Sequence, residues 1–230
     1  MNLPVRLAER KPHFLQLTLL MFAWMLLAPH LGDRWLVQLL LQVLLVSSLL
    51  VTLRANPGWG NVRPVMIALW LVSLAGAAFA AIPLEPEWHR IAGTVESASI
   101  LPLVALLSVG ILRYVFTRKE LTVDGLFATI AVYMLIALLF AQVYLLLIDW
   151  NPASFHLPAD IAGRPRQLLH SDMVYFSMIT LATVGYGDIL PVSEAARSLA
   201  VMEAVVGQFY VAIIVAVFVG MYAAAHQRRE

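Results

Sequence analysis

The chain has 230 residues, 61% of them hydrophobic and only 13% charged, with a mean hydropathy of +0.84. Soluble domains carry about 25% charged residues, so this composition excludes an ordinary cytosolic enzyme, a disordered chain and a nucleic-acid binder. The net charge of +1 implies no polyanion partner, and the lack of cysteine excludes disulfides, thiol catalysis and thiolate metal sites; what is left is a polytopic protein of the lipid bilayer.

A helix crosses a bilayer core of about 30 Å in about 20 apolar residues. Six stretches qualify in chain order: Phe14–Leu31, Trp35–Leu53, Val65–Ile82, Ser97–Phe116, Gly125–Ile148 and Ala195–Ala224. The first follows Arg6, Arg10 and Lys11, as the core of a signal peptide would. It is long and no A-x-A-like site follows it, so it reads as a retained helix. A seventh apolar piece, Asp172–Ala182, has about half the spanning length and reads as a re-entrant helix, tolerated only where protein or water covers its ends. With the amino terminus inside, ten basic residues flank inner ends (Arg6, Arg10, Lys11, Arg54, Arg63, Arg113, Arg118, Lys119, Arg228 and Arg229). Five flank outer ends (Arg34, Arg90, Arg164, Arg166 and Arg197). The acids run the other way, nine outside and four inside, with Glu203 within the sixth span. Both termini are therefore expected on the cytoplasmic side. The longest connection is the 23-residue outer loop Asp149–Ser171, and only His226–Glu230 follow the sixth span, so no soluble regulatory domain is expected.

The string Thr183-Val184-Gly185-Tyr186-Gly187-Asp188 follows the short helix. An extended segment at membrane depth cannot pair its carbonyls as a helix does, and hydrocarbon cannot satisfy them, so they must meet water or a cation. Glycine at 185 and 187 permits backbone angles closed to other residues, which turns successive carbonyls toward one axis. The Thr183 hydroxyl offers a further oxygen at the inner end. An unpaired buried ion is disfavoured by tens of kcal/mol in a medium of ε about 4, so a dehydrated cation needs a near-complete oxygen shell. One chain supplies one side of that shell; closed cyclic symmetry, the usual form of an oligomer, would complete it.

This string resembles the selectivity-filter signature of potassium channels, whose four TVGYG loops are the standard illustration of a carbonyl-lined filter. The wider stretch Tyr175–Pro191 is similar to that family's pore helix, filter and outer turn, and the resemblance covers about Gly125–Ala224. It implies an all-α membrane protein with six transmembrane helices, a re-entrant pore helix and a filter loop in a tetrameric pore. Residues 1–120 would form a four-helix, voltage-sensor-like peripheral domain. Residues 121–230 would form the pore domain, with an outer helix, a turret at 149–171, a pore helix at 172–182, the filter at 183–188 and an inner helix at 195–224. It further implies a homotetramer in the cell's inner (plasma) membrane. Potassium ions would be held by the carbonyls of Thr183, Val184, Gly185 and Tyr186 and by the Thr183 hydroxyl. Gly187, Asp188, Tyr175 and Phe176 would support the filter. Conduction would be passive and the protein not an enzyme.

Around this string, Ser171 or Asp172 could cap the short helix, whose carboxyl end favours a cation. Tyr175 offers a hydroxyl to Asp188. Ile179 stands where some relatives carry a glutamate behind the filter. Glu203 is an acid within an apolar span and so a functional candidate. It could brace the filter through Ser177 or Thr180, line the pore, or pack protonated; Gln208 is similarly ambiguous. Gly207 is either a gating hinge or a close-packing site, and Gly220 a weaker second hinge. The fourth span carries only Arg113, with Arg118 beyond it, too few arginines for a voltage sensor. The small residues of Ala75–Ala81 suit close helix contact. The six histidines form no metal-ligand spacing. A weakly selective cation channel and a non-conducting membrane subunit or sensor that keeps the pore fold stay open as alternatives, and no gating ligand is legible.

Overall fold

The computed structural model describes residues 13–31, 34–80, 82, 85–117, 122–164 and 166–227. Arg6, Arg10, Lys11, Arg118, Lys119, Arg228 and Arg229, on which most of the inner charge count rests, lie outside the described residues, as do the residues on either side of the expected 120/121 boundary. The described chain is mainly helical: α1 (His13–Leu27), α2 (Arg34–Ala55), α3 (Arg63–Ala80), α4 (Pro86–Thr117), α5 (Val123–Trp150), α6 (Arg166–Leu181) and α7 (Glu194–Gln227), with two short strands, β1 (Phe155–His156) and β2 (Leu190–Pro191). Five stretches are long and apolar enough to cross a bilayer: Trp35–Ala55, Arg63–Ala80, Glu87–Thr117, Val123–Trp150 and Glu194–Ala223. The apolar helix Phe14–His30 is shorter; its α-helical part ends at Leu27 and a 3-10 turn containing Pro29 closes it.

α5 is the hub. Its residues Ala128, Ala131, Val132, Leu135, Ala137, Ala141 and Tyr144 are all fully buried, and α4, α6, α1 and α7 pack around it. α4 packs along it and buries Ile100, Leu103, Val104, Leu107 and Ile111, a helical stripe of the period that makes one continuous apolar face. Polar ties join the helices. Thr122 caps α5 by accepting from the Gly125 N–H at 3.0 Å. Asp124 accepts from the Phe14 N–H and the Tyr114 hydroxyl, each at 2.8 Å. The Asn56 amide donates to the Gly110 carbonyl at 3.0 Å, joining α2 to α4, and the Gln42 amide donates to the Ser73 hydroxyl at 2.9 Å, joining α2 to α3. The small residues of α3 do allow close contact: a Cβ on Gly76 would stand 3.1 Å from the Glu96 Cβ and 3.2 Å from the Ala92 carbonyl.

Three sequence-based boundaries are corrected. α4 starts at Pro86 instead of Ser97, which puts Glu96 inside the helix and buried, not on an outer flank. α6 starts at Arg166 instead of Asp172, so Ser171 and Asp172 lie within the helix and neither caps it. The outer loop shrinks accordingly to residues 151–165 between α5 and α6. The physical reason is common to all three. Glu96, Arg166, His170 and Asp172 look like loop residues by polarity, but each has a polar partner on or beside its helix, so polarity does not end the helix there.

α7 differs from the rest. Val201, Phe209 and Val219 are 65%, 63% and 61% exposed, so little of this chain covers its apolar surface. At the opposite extreme, Gly110 is enclosed: a Cβ there would lie 2.5 Å from the Thr52 Cγ2 and 3.0 Å from the Trp59 ring. Gly110→Val is expected to destabilise the folded chain by about 1–3 kcal/mol through overpacking. Equilibrium unfolding in detergent micelles measures it, and an unchanged midpoint would refute this packing.

Candidate functional site

The segment between α6 and α7 is an exposed ribbon held at both ends. At the end next to α6 the Thr183 N–H donates to the Thr180 carbonyl at 2.9 Å. The Val184 and Gly185 N–H groups both donate to the Ile179 carbonyl, at 2.8 and 3.2 Å. No peptide bond in the described chain is cis, and in a trans peptide the carbonyl of one residue points opposite the N–H of the next. Three amides turned toward α6 therefore turn the carbonyls of Ala182, Thr183 and Val184 away from it. Among the described residues no hydrogen bond reaches the carbonyl oxygens of Thr183 to Gly187. Thr183, Gly185 and Gly187 have φ of +56°, +54° and +80°. Left-handed conformations at alternate positions keep the ribbon from closing into either helix or strand. For Thr183, a β-branched residue, that conformation is an outlier, of the sort that clusters at functional sites.

At the end next to β2 the ribbon is strapped to the scaffold. The Tyr175 hydroxyl donates to Asp188 Oδ2 at 2.7 Å, and the Ile189 N–H donates to Asp188 Oδ1 at 3.0 Å. The Tyr175 bond, aided by the Ile189 amide, holds the Asp188 carboxyl below the usual carboxylate range. β2 then pairs antiparallel with β1, Phe155 opposite Pro191 and His156 opposite Leu190. Phe176 does not lie alongside Tyr175. It is buried in an aromatic group with Tyr144 and Phe155, at centroid separations of 5.2 and 5.4 Å. Phe155 carries that packing into β1 and so to the strand that follows the ribbon.

Glu203, fully buried on α7, reaches back to α6 and α5. The Tyr144 hydroxyl donates to its Oε2 at 2.6 Å, and its Oε1 makes a short contact with the Ser177 hydroxyl. The partner on α6 is Ser177, of the two the sequence offered. Ser177 has one proton and a second acceptor, the Ala137 carbonyl at 2.8 Å. All four groups are satisfied at once when the carboxyl carries a proton and donates to Ser177, which in turn donates to Ala137. Gly207 sits four residues on. A Cβ there would fall 2.2 Å from the Leu181 carbonyl oxygen, so α7 and α6 are in close contact at this glycine. The Gln208 amide next to it reaches the Thr183 hydroxyl at 3.4 Å.

The sequence reading passed over a second, largely buried polar group, at the start of α6. Arg166 pairs with Asp149 at 3.0 Å and donates to the Ser97 hydroxyl at 2.7 Å. Ser97 donates to Gln142 Oε1 at 2.8 Å, and the Gln142 amide meets His170. Glu96 lies beside it with Gln38 as its partner. The group ties α4, α5 and α6 together. One signal was present in the sequence: Gln142 is an amide in the middle of an otherwise apolar span, and such a residue needs a partner.

Two outcomes test this geometry. Tyr175→Phe should raise the pH at which Asp188 titrates, since the bond that favours the charged form is gone. The depressed value means that the stabilisation is full above the ordinary carboxylate pKa and is lost as pH falls through the folded-state value. Infrared difference titration reads this, and an unmoved titration would remove the bond from the account. Glu203→Leu should destabilise by about 1–3 kcal/mol by orphaning the Tyr144 hydroxyl. Glu203→Gln should do less harm, and adding Tyr144→Phe to the leucine variant should recover part of the loss in thermal unfolding.

Known proteins align with this unit. Residues 132–224 match the sequence model of a family described as "Ion channel". Protein LctB of Bacillus caldotenax is 32% identical over 122 residues, 51% of this chain and 90% of its own length. Protein LctB of Geobacillus stearothermophilus is 34% identical over 97 residues, 42% of this chain and 71% of its own length. Two pore potassium channel b of Oryza sativa subsp. japonica is 42% identical over 57 residues, 25% of this chain and 16% of that protein. No solved structure matches the chain. The family match runs from within α5 through α6 and the ribbon to α7, and the Bacillus caldotenax protein is covered almost end to end at this level of identity: the chain belongs to the ion channel family.

Proposed function

We propose that the chain is the subunit of a homotetrameric, potassium-selective channel that conducts passively across a membrane. The observation that carries this reading is the ribbon 183–188: its first three amides turn back into α6, the carbonyls of Thr183 to Gly187 find no hydrogen bond among the described residues, and φ is positive at alternate positions. Peptide oxygens left in that state need water or a cation. Four ribbons round an axis would give successive oxygen rings from Thr183, Val184, Gly185 and Tyr186, the arrangement that replaces the hydration shell of potassium. The potassium channel named among the similar proteins supports the choice of ion. The exposed face of α7 supports the tetramer, since Val201, Phe209 and Val219 are left largely uncovered by their own chain.

In this reading α6 is the pore helix, α7 the inner helix and α5 the outer helix. Asp188, Tyr175 and Gly187 hold the ribbon's outer end. Phe176 and Glu203 pack it from behind, and Gly207 keeps α7 against α6. α1 to α4 form the peripheral domain; with α1 as a sixth span both termini fall on the cytoplasmic side. The four helices carry too few arginines to move much charge across the field. The subunit has no catalytic role.

Purified protein in liposomes tests the reading. Potassium flux blocked by barium is expected, with a reversal potential moving by about 59 mV per tenfold potassium gradient. Gly185→Ala, which forces a side chain into the left-handed region, should abolish flux while the oligomer survives in native mass spectrometry. Equal responses to sodium and potassium gradients would favour the weakly selective channel, and absence of flux would favour a non-conducting subunit.

A further inference from the structure

Arg166 opens α6 and lies in a notch of α4. Gly93 is buried there, and a Cβ on it would stand 2.7 Å from both Cδ and Nε of Arg166 and 2.9 Å from its Cζ. Only a residue without a side chain lets the guanidinium lie against α4 in this way. Held there, Nε donates to the two Asp149 oxygens at 3.1 and 3.0 Å, and Nη2 donates to the Ser97 hydroxyl at 2.7 Å. The first four helices all converge on this point. α4 supplies the notch and Ser97. On α2, the Gln38 amide bonds to Glu96, three residues after Gly93. On α3, a Cβ at Gly76 would meet the Glu96 Cβ at 3.1 Å. On α1, the Trp24 ring packs edge to face with the ring of His170, four residues after Arg166, at a centroid separation of 5.6 Å.

We propose that Arg166, seated over Gly93, is the positioning residue through which α1 to α4 control the ribbon. The inference rests on the pore reading above and gives the peripheral helices a part in it. α6 is a rigid rod whose axis is fixed at two points. Near its end Leu181 meets α7 at Gly207; at its start Arg166 binds α4 and α5. Without the second point α6 is free to tilt about the first. The Ile179 carbonyl, which holds the Val184 and Gly185 amides, tilts with it, and the ribbon's oxygens lose their aim. The notch also belongs to one register of α4. A screw motion by one residue, about 1.5 Å along the axis and about 100° around it, puts Ala92 or Thr94 where Gly93 was, and a side chain then fills the guanidinium's place. Lysine at 166 would keep the charge but lacks the flat fork that reaches Asp149 and Ser97 together. The peripheral helices thus act at the start of α6, and α7 need not move.

Gly93→Ala tests this with little risk to the fold, since only the far end of a flexible side chain has to shift. Amide hydrogen exchange in detergent micelles, read by mass spectrometry, requires no conduction. The amides of Thr183, Val184 and Gly185 should exchange roughly tenfold faster in Gly93→Ala and in Arg166→Gln, the scale of one lost hydrogen bond to a charged group. Arg166→Lys should fall between these and the wild type. Amides 126–135 of α5 and those of α7 should keep their wild-type rates, as should the ribbon in Gly58→Ala, where the surroundings are open. Ribbon amides that exchange at the wild-type rate in both Gly93→Ala and Arg166→Gln overturn the proposal. So does equal acceleration along the whole chain, which would mark a merely structural role. In liposomes each of the two variants should lower potassium flux by roughly tenfold, and the double variant by about tenfold again in total and not a hundredfold, because both remove the same contact. A hundredfold loss in the double variant would show that Gly93 acts by another route and would also overturn the proposal. A wild type that conducts nothing overturns the pore reading, and the exchange rates then decide by themselves whether the contact governs the ribbon.

Discussion

Every peptide group at membrane depth must find a partner, and most of this molecule meets that demand by being helical. The ribbon 183–188 is the exception on which the rest depends. Its first three amides, of Thr183, Val184 and Gly185, are satisfied by the last carbonyls of α6, and the planarity of the trans peptide then turns the oxygens of Ala182, Thr183 and Val184 outward. One set of hydrogen bonds thus closes the end of a helix and aims a row of acceptors. Neither effect requires the other subunits; what they would add in the proposed pore is the remaining sides of the oxygen shell.

A ribbon of this kind has no ladder of its own, so its shape must be imposed from outside. The scaffold does so at several points with different chemistry. Tyr175 and Ile189 clamp Asp188 at the outer end, the β1–β2 pair fixes the chain beyond it, and the aromatic group of Phe176, Tyr144 and Phe155 anchors β1. Behind α6, the buried Glu203 ties α7 to Tyr144 and Ser177. Tyr144 belongs to both the aromatic group and the carboxyl's hydrogen bonds, which joins the two supports through one side chain on the most buried helix.

The polar group of Arg166, Asp149, Ser97, Gln142 and His170 places the first half of α6 under the hold of α4 and α5. Partly buried charge is tolerated here because Arg166 is paired and hydrogen-bonded in several directions at once; removing one member would leave the others short of partners. The helix that positions the ribbon is thus gripped by apolar packing along one side and by a polar cluster near its start. A rigid α6 is what the ribbon's two inner hydrogen bonds to Ile179 require.

Much of this was legible in the residues themselves. Apolar length marked five of the long helices to within a few residues at most of their ends, because an apolar run of spanning length has few other uses. The half-length helix and the glycine spacing after it marked the ribbon, since only glycine is at ease where φ is positive. The starts of α4 and α6 were not legible: Glu96, Arg166 and His170 are polar, and nothing in the local pattern says that partners from other helices will satisfy them. The sequence offered Ser177 and Thr180 equally to Glu203, and packing chose Ser177. It offered Gly207 as hinge or contact, and only the folded chain shows that the Leu181 carbonyl stands close enough to make the contact. Composition and glycine spacing are local properties and determine which segments are apolar and which can turn; which buried polar group meets which is settled only when distant helices are brought together, because the distances that matter are not written along the chain.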